Sequence, residues 1–233
     1  MKKVLATALL CAVSSFASWD YFAPKDAGKG EAKLSEAYCM PAEKSSNLDL
    51  RAGARYSIIE RFEASLILPI NVMQTIADQS NDNYAGLTSP IVGLRYFLPM
   101  GLGFFADLYI PFDSHEGVEP DFNMVIGPQF SMKANEQLSF GTEIRVENLI
   151  TDPDVDLGLG LEVDYSIGSS TPFLGVELGR LLSDADMSLD VIIGYTHDIS
   201  EALSASASVG LGLSGYGDDN MPITIGASVS FNF

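Results

Sequence analysis

The fold is decided by the last twelve residues of the chain, Pro222–Phe233, which read PITIGASVSFNF. From Ile223 onward, hydrophobic residues alternate strictly with small or polar ones. Because successive side chains of a β-strand point to opposite faces, this pattern predicts a strand with one apolar and one polar face. The same alternation recurs along Leu48–Tyr56, Leu157–Ile167 and Leu203–Leu213.

Eight further segments follow the same pattern less regularly, and we predict strands near 31–40, 62–73, 87–98, 103–111, 122–132, 137–146, 173–181 and 187–198. The first is the least regular, because Glu36 falls on its apolar face. Most segments have the roughly 9–11 residues that a tilted strand needs to cross a bilayer. The connections alternate between short turns and longer polar loops, as in outer-membrane barrels. The sequence therefore predicts an all-β fold, a closed antiparallel transmembrane β-barrel of about 12 strands.

Aromatic residues supply a second, independent indication of a membrane barrel. Each of nine predicted strands places one ring on its apolar face beside a short turn, and these rings are Tyr56, Phe62, Tyr96, Phe104, Phe130, Phe140, Tyr165, Tyr195 and Phe231. Transmembrane barrels carry such aromatic girdles where lipid meets water. The alternative is a secreted β-sandwich or lipocalin-like barrel, but neither fold gives a reason for rings at one edge only. Phe173 departs from the pattern, since we expect its side chain to face inward.

We predict that residues 1–17 form a secretory signal peptide and that residues 18–233 form the barrel. Two lysines near the start precede a short apolar stretch, and small residues up to Ala17 suit cleavage. A lipoprotein anchored through Cys11 and an uncleaved membrane anchor are the alternatives. The chain is 47% hydrophobic and only 19% charged, below the roughly 25% charge of soluble domains. Without a later helical span, such a chain must bury a large core or face lipid.

The charge and cysteine content exclude some classes of partner and of cross-link. The formal net charge is −18 at pH 7, which argues against binding to nucleic acid or to an anionic lipid surface. Cys39 is the only cysteine after the predicted signal peptide, so we expect no disulfide within the mature chain.

Motifs for catalysis and metal binding are weak. The two histidines are His115, in an acidic loop, and His197, at the periplasmic end of a strand on its apolar face. A barrel phospholipase needs a serine beside its histidine at the outer leaflet, so we do not expect an enzyme. Residues Asp152–Asp156 resemble the start of a calcium loop, but Leu157 and Val163 stand where an EF-hand requires Gly and Glu. No metal site and no cofactor are expected.

Charged residues on the predicted inner face are the candidate functional residues. Three arginines lie on the second and fourth predicted strands with Glu63 between them, and they are Arg51, Arg55 and Arg95. An acidic group at mid-depth on three later strands, with Arg145 beside it, consists of Glu143, Glu162, Asp164 and Glu177. Such charges either pair and fill the barrel or create a field that selects solutes by sign. About 12 strands suit a narrow pore, and the acidic excess predicts selectivity for cations or neutral solutes.

The stretch Leu50–Phe112 carries motifs that resemble a known family. They are Gly53-Ala54-Arg55-Tyr56, Phe62-Glu63, Leu66-Ile67-Leu68-Pro69, Gly86-Leu87-Thr88-Ser89-Pro90, Gly93-Leu94-Arg95-Tyr96 and Leu108-Tyr109-Ile110-Pro111. With these turn and strand motifs the chain resembles the transporter family named for the meta-pathway of phenol degradation, although Ser89 stands where that family usually has an acidic residue. The resemblance implies an outer-membrane barrel linked to uptake of small, often aromatic or hydrophobic compounds.

The chain ends in Phe231-Asn232-Phe233, which resembles the terminal aromatic signal read by the barrel assembly machinery. We therefore expect a location in the cell outer membrane, with outer-membrane lipid and the barrel assembly machinery as partners. The expected function is passive passage of an unidentified small solute through a channel. The alternative is a non-conducting barrel with a structural or surface-interaction role.

Overall fold

The computed structural model describes residue 22 and residues 26–42, 45–75, 86–112, 122–150, 155–182, 186–216 and 221–233. The predicted signal peptide, the loop that contains His115 and most of the acidic segment before Asp156 lie outside these residues. In the part of the chain that is described, no helix is long and apolar enough to cross a bilayer.

The strands are numbered here in chain order. They are β1 (Gly30–Ala42), β2 (Ser45–Ile59), β3 (Phe62–Thr75), β4 (Gly86–Leu87), β5 (Ile91–Phe97), β6 (Leu102–Tyr109), β7 (Asn123–Lys133), β8 (Leu138–Glu147), β9 (Asp156–Tyr165), β10 (Ser170–Gly179), β11 (Ser188–Asp198), β12 (Leu203–Ser214) and β13 (Ile223–Asn232).

Antiparallel pairing of neighbours closes the sheet on itself, because β1 pairs with β2 on one side and with β13 on the other. The short β4 and the longer β5 both pair with β3 and occupy one position in the wall. Counted in this way, the barrel has twelve strands, which confirms the predicted fold class. Among the described strands, all except the two-residue β4 pair with a neighbour on each side, and such closure is what a bilayer requires of a β-structure that spans it.

The strand predicted near 87–98 is interrupted, and Pro90 explains the break. Proline has no backbone N–H to donate. Backbone bonding to β3 ends with the N–H of Thr88, which donates to Pro69 O at 2.9 Å, and strand pairing resumes at Ile91. The carbonyl oxygen of Pro90 still accepts a hydrogen bond from the backbone N–H of Ile110 at 2.8 Å. The interrupted segment therefore stays attached to the residue that follows β6.

The outer and inner faces of the wall differ as the alternation predicts. Large exposed hydrophobic side chains cover the outside, among them Leu66, Leu94, Leu161, Ile193 and Ile225. Polar and charged side chains line the inside, and many of them are buried from solvent. An apolar exterior around a polar interior is the arrangement of a transmembrane barrel and the inverse of a soluble one. The sandwich and lipocalin-like alternatives therefore do not fit.

The predicted aromatic girdle is present on the outer face beside the short turns. Seven of its rings are more than a third exposed, and they are Tyr56, Tyr96, Phe104, Phe130, Tyr165, Tyr195 and Phe231. The strand register aligns Phe62 with Tyr96 and Tyr96 with Phe104, so these three rings stand in one row. We call this end of the barrel the short-turn end. Phe173 faces inward as expected, because its ring lies against Gly194 of β11.

The irregularity predicted for the first strand is also present. Glu36 is exposed on the outer face of β1, where it pairs in register with Leu50 and Ala227. The side chain of Cys39 is buried on the opposite, inner face. β1 thus keeps the alternation of the barrel and carries one carboxylate among outward-facing apolar residues.

Candidate functional site

A row of buried charged residues lines the inner face from β1 to β6. Arg55 donates two hydrogen bonds to Glu31 Oε2, from Nε at 2.9 Å and from Nη2 at 2.7 Å. Its Nη1 atom lies 3.8 Å from Glu63 Oε1, and Arg95 Nη2 lies 3.8 Å from Asp107 Oδ2. Glu63 stands directly opposite Arg95 in the β3–β5 register. Two guanidinium groups therefore meet three carboxylates within the wall and neutralise most of their charge.

Arg145 of β8 is the centre of a second charged network. Its Nη1 donates to Glu143 at 3.1 Å, its Nε to Glu147 at 3.1 Å, and its Nη2 to Glu177 of β10 at 3.4 Å. Glu143 also accepts a hydrogen bond from Gln129 Nε2 at 2.9 Å. One guanidinium thus serves three carboxylates. Within the described residues, no group of three or more His, Cys, Asp or Glu side chains is arranged to hold a metal ion.

Two glycines of β9 explain how Arg145 reaches across a strand. Gly158 pairs with Arg145, and Gly160 pairs with Glu143 on one side and Glu177 on the other. A Cβ on Gly158 would lie 3.0 Å from Arg145 Nε. Because Gly158 and Gly160 have no side chain on the inner face of β9, the guanidinium has room to cross the strand at this height.

The acidic group predicted from the sequence is divided by the structure. Glu143 and Glu177 are buried in the network around Arg145. Glu162 and Asp164 lie on the same inner face of β9, nearer the short-turn end, and remain half-buried. Arg51 lies on the inner face of β2 and is also half-buried. Glu162 and Asp164 are therefore the members of the predicted acidic group that solvent reaches best.

Sequence analysis missed several members of these networks, although the alternation places them on the inner face. Among them are Glu31, Asp107, Gln129 and Glu147, all of which contact residues named above. We call the inner surface formed by the two networks the charged wall, and its members are Glu31, Arg55, Glu63, Arg95, Asp107, Gln129, Glu143, Arg145 and Glu177.

Apart from Asn232, the inner faces of β12 and β13 carry only serine, threonine and glycine. We call this surface the hydroxyl wall, and its members are Ser204, Ser206, Ser208, Gly210, Gly212, Thr224, Gly226, Ser228 and Ser230. Ser206 stands opposite Ser228, and their hydroxyl oxygens lie 2.7 Å apart. Six of the nine are half-buried and reached by solvent, while Gly212, Gly226 and Ser230 are buried. All members of the charged wall are buried.

An aromatic side chain lies near each end of the hydroxyl wall. At the end opposite the short turns, Tyr216 follows β12, and its ring packs against Gly212. Its hydroxyl donates to the carboxylate of Asp190, with oxygen distances of 2.6 and 2.7 Å. The guanidinium carbon of Arg180 lies 5.9 Å from the centre of the ring. Toward the short-turn end, Phe173 packs against Gly194.

A serine and a histidine meet on the outer face, a pair that the sequence analysis did not find. Ser170 Oγ lies 3.2 Å from His197 Nδ1 and 2.5 Å from the hydroxyl of Tyr195. All three are at the short-turn end, where the hydrogen bonds are exposed. Among the described residues, no carboxylate or amide bonds to the other ring nitrogen of His197. The third group that orients a catalytic histidine is therefore missing from this part of the chain.

The last residues close the barrel. The backbone N–H of Gly30 donates to Phe233 O at 2.8 Å, and that of Phe233 donates to Gly30 O at 3.1 Å. The rings of Phe231 and Phe233 stack with centroids 6.5 Å apart, and both are about half exposed. The terminal aromatic residues are thus presented on the surface at the seam between β1 and β13.

No protein-family model and no curated protein matches the chain, but solved structures do. An outer membrane channel from Pseudomonas putida F1 matches with a TM-score of 0.69 at 13% identity, over 93% of this chain and 99% of that one. The KdgM porin gives 0.54 at 12% identity, over 86% and 99%. The CymD monoaromatic hydrocarbon channel gives 0.50 at 9% identity, over 89% and 88%. At these identities the likeness is one of fold, that of outer-membrane β-barrels.

Proposed function

We propose that the chain is an outer-membrane channel for the passive passage of a small solute. The observation that carries this proposal is the hydroxyl wall, a strip of short and solvent-reached side chains inside a barrel whose exterior is apolar. Side chains fill the interior of a barrel of about eight strands, and twelve strands leave more room, which the short side chains of this strip do not fill. The shared fold with outer-membrane channels agrees with this proposal.

We further propose that the chain belongs to the transporter family of the meta-pathway of phenol degradation. The support is the set of motifs between Leu50 and Phe112, which spans β2 to β6. Membership would make the solute a small hydrophobic or aromatic compound. The CymD structure, which has the same fold, is named as a monoaromatic hydrocarbon channel, in agreement with this solute class.

Selectivity is assigned to the charged residues of the lumen. Three carboxylates surround Arg145, and two more, Glu162 and Asp164, lie on the inner face of β9. Since carboxylates outnumber guanidinium groups here, we expect a negative potential along the path and a preference for cations or neutral solutes over anions.

This preference is testable by reversal potentials under a salt gradient. The double variant Glu162→Gln with Asp164→Asn removes two solvent-reached charges with little change in volume, and we expect the reversal potential to move toward zero. Glu63→Gln is the control, because its carboxylate is buried in the charged wall and should change the potential less. An unchanged potential in the double variant would exclude these residues from the path.

We also propose that Phe231 and Phe233 are read by the barrel assembly machinery. Both rings are exposed at the seam where the barrel closes. Deletion of Phe233 removes a ring and two closing hydrogen bonds, so we expect slower insertion and less folded barrel in a heat-modifiability gel. Normal outer-membrane levels of the shortened chain would contradict this role.

A further inference from the structure

The two walls differ in how far solvent reaches them. Glu63, Gln129 and Glu143 of the charged wall are each 1% exposed, and Arg145 is 4% exposed. Across the barrel, Ser208 and five other members of the hydroxyl wall are half-buried, although Gly212, Gly226 and Ser230 are buried. Because a side chain in contact with a water-filled space cannot be fully buried, that space lies against the hydroxyl wall and extends to the half-buried Glu162 and Asp164 of β9.

Side-chain length explains this asymmetry. Arginine and glutamate side chains are long enough to cross a neighbouring strand, as Arg145 does over Gly158 to reach Glu177. A serine hydroxyl reaches only to the adjacent strand, where Ser206 meets Ser228 at 2.7 Å. The long side chains of the charged wall therefore extend into the barrel and bury one another's polar groups. The short side chains of the hydroxyl wall extend little into the barrel.

Glycines set the positions of the aromatic rings near the two ends. The ring of Tyr216 occupies the space that a side chain on Gly212 would fill, and the ring of Phe173 does the same over Gly194. Tyr216 is fixed by its two short contacts with Asp190. Phe173 is half-buried and projects over the inner surface of β11, where it borders the space beside the hydroxyl wall. Tyr216 is only 7% exposed and packs with Pro222 over Gly212 as part of the wall.

We propose that solute passes along the hydroxyl wall rather than between the charged residues, and that Phe173 sets the size limit toward the short-turn end. This inference rests on the proposed channel function and adds to it the path and the residue that restricts it. It also assigns the charged wall a different role, that of a packed support for the barrel beside the path.

Thiol labelling tests the position of the path. Cysteine replaces serine with little change in shape, so Ser208→Cys is made in a Cys39→Ala background, with Ser65→Cys as the matched control. Ser65 also faces inward, but it lies beside Asp107 at the charged wall and is 9% exposed. The native Cys39, 2% exposed, is a second control in the otherwise unchanged chain.

A charged, membrane-impermeant methanethiosulfonate is applied to the barrel in native membranes and in planar bilayers. We expect Ser208→Cys to be labelled and its single-channel conductance to fall, while Ser65→Cys and Cys39 react at least about tenfold more slowly, since thiol reaction follows exposure. Equal labelling of Ser65→Cys and Ser208→Cys would overturn the inference, as would full conductance after Ser208→Cys is labelled. The difference in labelling rate can be measured without any current. If the wild-type barrel gave no current, the channel function would be refuted, and the labelling rates would still locate the water-filled space.

Removal of the Phe173 ring tests the size limit. We expect Phe173→Ala to raise conductance and to admit larger neutral polyethylene glycols. Tyr216→Phe changes a ring that is only 7% exposed and should leave both quantities unchanged. Phe97→Leu is a further control, because Phe97 faces inward at the charged wall and is 2% exposed. A similar change in Phe97→Leu, or no change in Phe173→Ala, would contradict the role of the ring.

Discussion

The charged wall and the hydroxyl wall line the inside of the same barrel, but their polar side chains find hydrogen-bond partners in opposite ways. In the charged wall, long side chains bond to one another and exclude solvent, as in the pairing of Arg55 with Glu31 at 2.7 Å. In the hydroxyl wall, short side chains bond to their nearest neighbours and leave the space beside them open. In the proposed channel, stability and passage are therefore assigned to different strands, and substitutions in the two walls should have different consequences.

The largest expected effect is loss of the guanidinium at the centre of the charged wall. Arg145→Met leaves Glu143 and Glu177 buried without their cation, and removal of one partner from a buried ion pair costs about 3–5 kcal/mol. We expect the free energy of unfolding, measured by urea titration of the barrel in detergent, to fall by this amount. Ser208→Ala in the hydroxyl wall is the control and should change it by less than about 0.5 kcal/mol. Equal losses in both variants would remove the distinction between the walls.

A smaller effect is expected from adding one methyl group to each wall. In Gly158→Ala the new Cβ would lie 3.0 Å from Arg145 Nε and 3.1 Å from Glu147 Oε1. Since three carboxylates hold Arg145 in place, it cannot move aside, and overpacking of this kind costs about 1–3 kcal/mol. In Gly210→Ala the nearest atom would be Thr224 Cβ at 3.6 Å, an ordinary contact.

We therefore expect Gly210→Ala to stay within about 0.5 kcal/mol of the parent chain in the same urea titration. A stable Gly158→Ala variant would mean that Arg145 is free to shift, and the charged wall would then be less tightly packed than its burial indicates.

Much of the fold is predictable from sequence because a strand that faces lipid must alternate. The period of two assigns Leu161 to the outside and Glu162 to the inside without any knowledge of their neighbours. The alternation also predicts the aromatic girdle, since a ring belongs to the girdle when it lies on the outer face close to a short turn. The break at Pro90 was missed because a proline within an alternating run leaves the pattern intact while it removes one hydrogen bond.

The candidate site was less predictable, because it depends on the register between strands. The alternation places Glu143 and Glu162 on the same inner face and so suggests one acidic group. The strand register is needed to see that Gly160 pairs with both Glu143 and Glu177, which brings these two carboxylates within reach of Arg145. Tyr216 lies beyond the end of β12, where alternation no longer specifies direction. The contact of Ser170 with His197 likewise follows from register, since the two are far apart in sequence.

The most direct test of the channel is the current carried by the purified barrel in a planar bilayer. We predict discrete conductance steps, a reversal potential under a salt gradient that indicates cation preference, and loss of most of the current after Ser208→Cys is labelled. A barrel that is folded by heat-modifiability and yields no steps at any voltage would contradict the account and would favour a structural role.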